Sequence, residues 1–150
     1  MLYFREFELE ENDQEKIEKR IRDLSKKRHT SLDIVPSSAF APDDKLFLAI
    51  ERNDNFTLTR IRYFFGQFLP KIIVRFNKSN LRYYKIRLSL LSSIIFVFIC
   101  WIILSWGLRF SQSAQSAGDF SILFLTVSMY LFLIIIEITL TKRKLKKLEK

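Results

Sequence analysis

The chain has 150 residues, of which 49% are hydrophobic and 15% aromatic, and its formal net charge is +9. The charge is unevenly divided: residues 1–54 hold 10 basic and 13 acidic side chains, whereas residues 55–150 hold 15 basic and 3 acidic ones. Cations concentrated beside long apolar runs are typical of a membrane surface. The one cysteine, Cys100, excludes an intramolecular disulfide and a cysteine-based metal site.

Residues 1–80 are predicted to form a small cytosolic region of mixed α+β structure. Residues 2–9 are aromatic and favour a strand or an extended arm. A helix is predicted over about residues 13–28, because Asn12 followed by Glu15 is a capping-box pattern and apolar residues recur at helical spacing after it. This helix is amphipathic and highly charged, with acidic residues first and basic residues last, as the helix dipole favours.

Two functions fit that helix. In the first, it packs a thin apolar seam on its own domain or on a partner. In the second, it binds nucleic acid or anionic lipid through its basic side chains, which are Lys16, Lys19, Arg20, Arg22, Lys26, Lys27 and Arg28. Intercalated acidic residues and the lack of aromatic stacking residues argue against nucleic acid.

The remainder of the N-terminal region is predicted to be a linker followed by strands. Residues 31–44 are rich in proline and serine and are typical of a linker. Residues 45–76 are predicted to be β-rich, with a hairpin turning at residues 53–55; a helix from an Asp43 cap through Arg52 fits almost as well. Residues 71–76 are β-branched and strand-like.

Basic and aromatic side chains alternate through this β-rich part. That composition suits a surface lying on an anionic leaflet, although an ordinary small core with a solvated basic face explains it equally. The candidate lipid contacts, including those that flank the apolar runs, are Arg60, Arg62, Lys71, Arg75, Arg82, Lys142, Arg143 and Lys144.

Two apolar runs of 21 residues each dominate the second half of the chain. Residues 88–108 contain 13 Leu, Ile, Val or Phe and no charged residue, and residues 120–140 contain 14 and one acid. A helix of this length spans about 30 Å, the thickness of a hydrocarbon core. The sequence therefore predicts a two-helix transmembrane hairpin with a first helix that begins near residue 81, a short non-cytosolic connector at residues 109–119 and a basic cytosolic tail at residues 141–150.

The orientation is predicted from the flanking cations. Six Lys or Arg residues lie at positions 71–87 and six at positions 142–150, against Arg109 alone in the connector. Both termini are therefore expected to face the cytoplasm, or the matrix or stroma if the membrane belongs to an organelle.

Glu137 is the acidic residue of the second apolar run, and an ionisable group there is a functional candidate. Because antiparallel packing brings the cytoplasmic ends of the two helices together, we expect Glu137 to pair with Arg87 or Lys85. A basic residue of another subunit is a further candidate, and so is simple neutralisation by Lys142 or Arg143.

Catalytic patterns are missing from the sequence. It contains one histidine, His29, three glycines without a phosphate-binding spacing, and no motif for a metal or a cofactor. We therefore expect no enzyme activity, no cofactor and no small-molecule substrate. The leading prediction is an accessory, assembly or anchoring subunit that contacts anionic lipid and binds protein partners, or itself, through the N-terminal region. The alternatives are an oligomerising, membrane-permeabilising effector with a sensor domain and, more weakly, a membrane tether for nucleic acid.

Overall fold

The computed structural model describes residues 3–10, 13–33, 44–62, 66, 68–110 and 117–148, with side chains from residue 6 onward except those of residues 106–120, 122 and 123. These residues form a mixed α+β sheet domain followed by two apolar helices. The elements are β1 (Tyr3–Glu8), α1 (Gln14–Leu24), β2 (Ser25–Lys27), β3 (Phe47–Glu51), β4 (Asn55–Arg60), β5 (Ile72–Asn77), β6 (Asn80–Leu88), α2 (Leu90–Phe110) and α3 (Ala117–Leu145), which ends in a 3-10 turn at Lys146–Leu148.

The six strands form one sheet in the order β1-β6-β5-β4-β3-β2. All neighbours are antiparallel except β2 and β3, which are parallel. Side chains alternate between the two faces, as a pleated strand requires. On β6, Tyr84, Ile86 and Leu88 lie on the face that forms the main core, where α1 and the last turns of α3 pack. We call this the inner face and the opposite one the outer face.

The turn predicted at residues 53–55 joins β3 to β4, whose register pairs Phe47 with Arg60 and Glu51 with Phe56. The alternative prediction, a helix from an Asp43 cap through Arg52, is therefore wrong. Strand β5 covers the predicted strand at residues 71–76 with a shift of one residue. Of the predicted linker, residues 34–43 lie outside the described residues.

Helix α1 is shorter than predicted, because it ends at Leu24 rather than near residue 28. The Ser25 hydroxyl donates to the Ile21 carbonyl, and residues 25–27 then pair with β3 as a short parallel strand. The pairing replaces the helical hydrogen bonds of the last predicted turn. At the other end, the Asp13 carboxylate accepts from the Lys16 amide and caps the helix.

The sequence predicted that the first apolar helix begins near residue 81, and this prediction is wrong. Residues 80–88 form β6, which pairs with β1 on one side and β5 on the other. A tight turn at Lys78-Ser79 connects β5 to β6. Apolar and polar side chains alternate along much of β6, and the apolar ones are buried on one face of the sheet. Helix α2 then begins at Leu90, where the Ser89 hydroxyl accepts from the Ser92 amide as an N-cap.

Helix α3 is the longest element, and its two parts have different surroundings. By length and composition, Phe124–Leu148 is the one stretch of the described residues long and apolar enough to cross a membrane, and the described apolar part of α2, Leu90–Ser105, is shorter. The C-terminal part of α3, from Ile134 onward, and the 3-10 turn after it pack on the inner face of the sheet, with Ile134, Leu145 and Leu148 buried in the main core. The sheet domain and α3 therefore share one core.

Candidate functional site: a buried arginine–glutamate cluster

The most unusual polar feature of the described residues is an ion-pair cluster formed by Arg60, Arg62 and Glu137. The Arg60 guanidinium reaches both carboxylate oxygens of Glu137, with Nη2 at 2.5 Å from Oε2 and Nε at 3.2 Å from Oε1. Arg62 Nη2 lies 3.2 Å from Oε1 of the same carboxylate. The Glu137 side chain is 1% exposed, so the interaction takes place away from water.

Each member is positioned by the fold. Arg60 is the last residue of β4 and points to the inner face, in register with Phe47. Glu137 belongs to a buried stripe of α3 that includes Ile134, Thr141 and Leu145, at the three- and four-residue spacing of one helix face. The cluster thus lies where the core-facing stripe of α3 meets the end of β4.

Arg62 links the cluster to the chain that follows it. Its Nη1 donates to the Leu69 carbonyl at 2.5 Å and its Nη2 to the Pro70 carbonyl at 2.8 Å. Burial lowers the pKa of the Arg62 guanidinium, and the neighbouring Glu137 carboxylate opposes that shift. Arginine remains charged even so, which leaves two cations around one anion in a buried site.

A second ion pair holds the start of α2. The Asp33 carboxylate accepts two hydrogen bonds from the Arg87 guanidinium, at 2.8 and 2.9 Å, and a third from the Leu90 amide at 2.9 Å. The bond with Arg87 lowers the pKa of Asp33 below its ordinary value. An acid at this position also complements the positive end of the helix dipole.

Lys71 connects β5 to the same helix end. Its amide donates to the Ser92 hydroxyl and its carbonyl accepts from the Ser89 amide, both at 2.8 Å. Burial and the nearby Arg62 together lower the pKa of the Lys71 ammonium to about 8. The first turn of α2 is therefore bonded both to Lys71, which directly precedes β5, and to Asp33.

These contacts correct the pairing predicted for Glu137. Arg87 and Lys85 lie on the outer face of β6, where Arg87 pairs with Asp33 and Lys85 lies 3.8 Å from Glu6. Glu137 lies on the inner side, because α3 packs under the sheet. The prediction assumed only that the two helix ends lie close together, and it could not show which face of a strand carries Arg87 and Lys85.

The candidate lipid contacts are also dispersed by the fold. Arg60 and Arg62 are buried in the cluster, Arg82 pairs with Glu8, and the Lys142 ammonium lies over the Phe7 ring at 3.7 Å from its centroid. Arg75 and Arg143 are exposed, and Lys71 and Lys144 are half-buried. Several of these cations thus have partners within the chain, whereas lipid contact by the exposed ones, Arg75 and Arg143, stays a prediction.

The outer face carries a polar cavity of about 540 Å³ at the end of the sheet remote from α2. Arg75 and Tyr83 are exposed there. Its lining residues are Glu6, Asp54, Asn55, Arg75, Asn77, Tyr83 and Lys85. The opposite end of the outer face is covered by Leu32, which packs with Leu48, Ile61 and Ile73.

Two acidic residues with structural roles escaped sequence reasoning. Asp33 lies in a segment read as linker, and Glu51 lies beside a turn. Glu51 accepts from Arg22, Lys27 and Lys78, which joins α1, β2 and the β5–β6 turn. Neither stands out in the sequence, because residues 1–54 hold 13 acidic side chains and only the fold brings cations to these two. In the part of the chain that the structure describes, no group of three His, Cys, Asp or Glu side chains is placed to hold a metal ion.

No protein-family model matches the chain, and comparisons with curated proteins and with solved structures gave no match either.

Proposed function

We propose that this protein is a two-span membrane protein that anchors or assembles protein partners through its N-terminal sheet domain, without enzymatic activity of its own. Helices α2 and α3 form the membrane hairpin, and both termini lie on the cytoplasmic side. The arginine–glutamate cluster fixes the sheet domain to the base of this hairpin. A partner bound to the domain is then held at a defined orientation to the membrane.

The observation that carries the proposal is the apolar surface of the two helices. Among the described side chains, sixteen large hydrophobic ones are exposed, and all but Phe68 and Tyr83 lie on α2 or α3. Exposed fractions reach 65% at Leu104 on α2 and 69% at Leu125 on α3. A contiguous apolar surface of this extent is a membrane or interaction surface rather than one that faces water.

The helix lengths agree with this placement. Helix α2 has 21 residues, and residues 117–136 of α3 precede the buried Glu137. At 1.5 Å per residue these segments are about 32 and about 30 Å long, which matches a hydrocarbon core. Because Ile134 is already buried in the main core, the part of α3 left for lipid is residues 117–133, about 26 Å, which is still within the range of membrane-spanning helices.

The connections to the sheet support a shared side for both helix ends. One residue, Ser89, separates β6 from α2, and α3 returns to the same sheet at Glu137. Six Lys or Arg residues precede α2 at positions 71–87 and six follow the second apolar run at positions 142–150, an excess that favours a cytoplasmic location for both flanks.

The far end of the outer face is the surface proposed for the protein partner. The inner face is occupied by α1 and α3, whereas Arg75 and Tyr83 are exposed beside the polar cavity. Arginine and tyrosine are enriched among residues that dominate interface energies.

Affinity purification of the tagged full-length chain in mild detergent, followed by mass spectrometry, tests the proposal. We expect defined proteins to co-purify, and Arg75→Ala with Tyr83→Ala to abolish that association. Arg143→Ala, which also removes an exposed arginine, is the matched control and should retain it. A chain that purifies alone in every case would contradict the partner-binding role.

The membrane-permeabilising alternative predicts a different result on induction. An effector would depolarise its host membrane rapidly, and deletion of residues 88–140 would abolish the effect. Unchanged membrane potential on overexpression of the intact chain is the outcome expected for an anchoring subunit.

A further inference from the structure

Phe68 is a large aromatic side chain that the sheet domain leaves uncovered. It is 81% exposed, more than any other large hydrophobic side chain among the described residues. It belongs to the segment between β4 and β5, where Leu69 and Pro70 follow it. Full exposure of a phenylalanine to water is unfavourable by about 2 kcal/mol relative to burial.

The position of this segment is fixed relative to the start of α2. Lys71, three residues after Phe68, exchanges hydrogen bonds with Ser89 and Ser92, each 2.8 Å long. Ser89 caps α2, and the next residues of that helix, Leu90 and Leu91, are 52% and 63% exposed. Three residues span at most about 11 Å, so Phe68 lies within that distance of Lys71, which is bonded to the start of α2.

The described residues next to Phe68 are held by hydrogen bonds. Arg62 donates to the carbonyls of Leu69 and Pro70, and the Leu69 amide donates to the Gly66 carbonyl at 3.3 Å. Gly66 lies directly on the cluster, since a Cβ atom placed there would be 3.3 Å from Arg62 Cβ and 3.5 Å from Arg60 Nη2. The backbone that presents Phe68 is thus bonded to the same arginine that contacts Glu137.

We propose that Phe68 is an interfacial anchor, whose ring inserts at the boundary between headgroups and acyl chains of the leaflet that α2 enters. The inference rests on the proposed membrane placement of α2 and α3. It adds a third contact with the bilayer, contributed by the sheet domain itself. Two helices and one anchored segment define a plane, so the domain is prevented from tilting on its hairpin. Aromatic rings are favoured at this depth because it is apolar on one side and wet on the other.

Spin labelling of the full-length chain tests this depth directly. In a Cys100→Ser background, single labels are introduced by Phe68→Cys, by Val97→Cys on the exposed side of α2, and by Tyr83→Cys on the outer face of the sheet. Tyr83 is five residues before the end of β6, or about 16 Å along the strand. Collision rates with oxygen, which partitions into lipid, and with a water-soluble nickel chelate are measured in phosphatidylcholine–phosphatidylglycerol vesicles.

We expect the oxygen-to-nickel ratio to be highest at position 97, intermediate at 68 and lowest at 83, with position 68 several-fold above 83. If the ratio at position 68 equals that at position 83 while position 97 shows a lipid environment, the anchor is refuted and the proposed membrane hairpin is retained. If position 97 is also accessible to nickel, the membrane placement itself fails and the anchor fails with it.

A conservative aromatic replacement provides a second measurement. In a Trp101→Phe, Trp106→Phe background, Phe68→Trp should be quenched by brominated lipids, whereas Tyr83→Trp should not. A Phe68→Trp variant that folds and is not quenched would overturn the anchor independently of any effect of the spin label.

Discussion

Arg60 and Glu137 are 77 residues apart in sequence and form a two-point ion pair, with Arg60 Nη2 2.5 Å from Glu137 Oε2. One residue ends a strand and the other lies on the longest helix. Both side chains are at most 10% exposed. The pair therefore joins the sheet domain to α3 through a contact that water does not screen.

Removal of the carboxylate tests the role of this contact. Glu137→Gln leaves the buried Arg60 and Arg62 without their counter-ion, and we expect a loss of about 3–5 kcal/mol in the free energy of unfolding. Unfolding of the detergent-solubilised protein, followed by far-ultraviolet circular dichroism, measures the loss. Thr139→Ala, two residues away on an exposed side of α3, is the control and should change little. A Glu137→Gln variant as stable as that control would contradict a structural role for the cluster.

The Glu51 network predicts a specific acid sensitivity. Hydrogen bonds from Lys27 and Lys78 are the main causes that lower the pKa of Glu51 from 4.5 to about 2. Because the folded-state pKa is depressed, the stabilisation is fully present above pH 4.5 and is lost as pH falls towards 2. Glu51→Gln should cost about 1 kcal/mol at neutral pH, as the network is partly exposed.

The difference in stability between the wild type and Glu51→Gln should therefore shrink between pH 4.5 and pH 2. Denaturant titrations at several pH values in this window measure it. Asp44→Asn, which removes an exposed acid that lies 3.2 Å from the ammonium of its neighbour Lys45, is the comparison. A difference that stays constant with pH would show that Glu51 is not held by these cations.

Asp33 is expected to stabilise the start of α2. Asp33→Asn weakens the bidentate bond with Arg87, and it also weakens the bond from the Leu90 amide. Bonds to charged groups contribute about 1.5–3 kcal/mol, so a loss of about 2 kcal/mol is expected. Hydrogen exchange should accelerate at the first turn of α2 and remain unchanged at β3. Uniform acceleration across the domain would indicate a global effect instead.

The reactivity of the native Cys100 tests whether α2 is surrounded by lipid or by water, and no cysteine has to be introduced for this measurement. Its side chain is exposed on the helix and would react readily in water. In the proposed membrane placement, a charged maleimide should label it only after the vesicles are dissolved in SDS. Arg143→Cys in a Cys100→Ser background should be labelled in intact inside-out vesicles. Rapid labelling of Cys100 in intact vesicles would contradict a lipid environment for α2.

The sequence by itself determined the local elements whose hydrophobic period is unambiguous. Two long apolar runs predicted α2 and α3, although their ends shifted to Leu90–Phe110 and Ala117–Leu145. The residues around Asn53 to Asn55 predicted a turn, since asparagine and aspartate tolerate turn geometry at low cost. Ile17 and Ile21 marked the buried side of α1. In each case, the information lies within one or two turns of helix or one hairpin.

Only the tertiary structure decided what those elements contact. Residues 80–88 have cations that suit a helix entering lipid, yet strands β1 and β5 on both sides supply hydrogen bonds that make them a strand. The partner of Glu137 depended on which face of the sheet α3 covers, and no local pattern carries that information. Arg60, Arg62 and Glu137 meet because burial of the apolar stripe of α3 brings the carboxylate to the end of β4. Burial of a charge is costly unless it is paired, and Arg60 and Arg62 supply that pairing for Glu137.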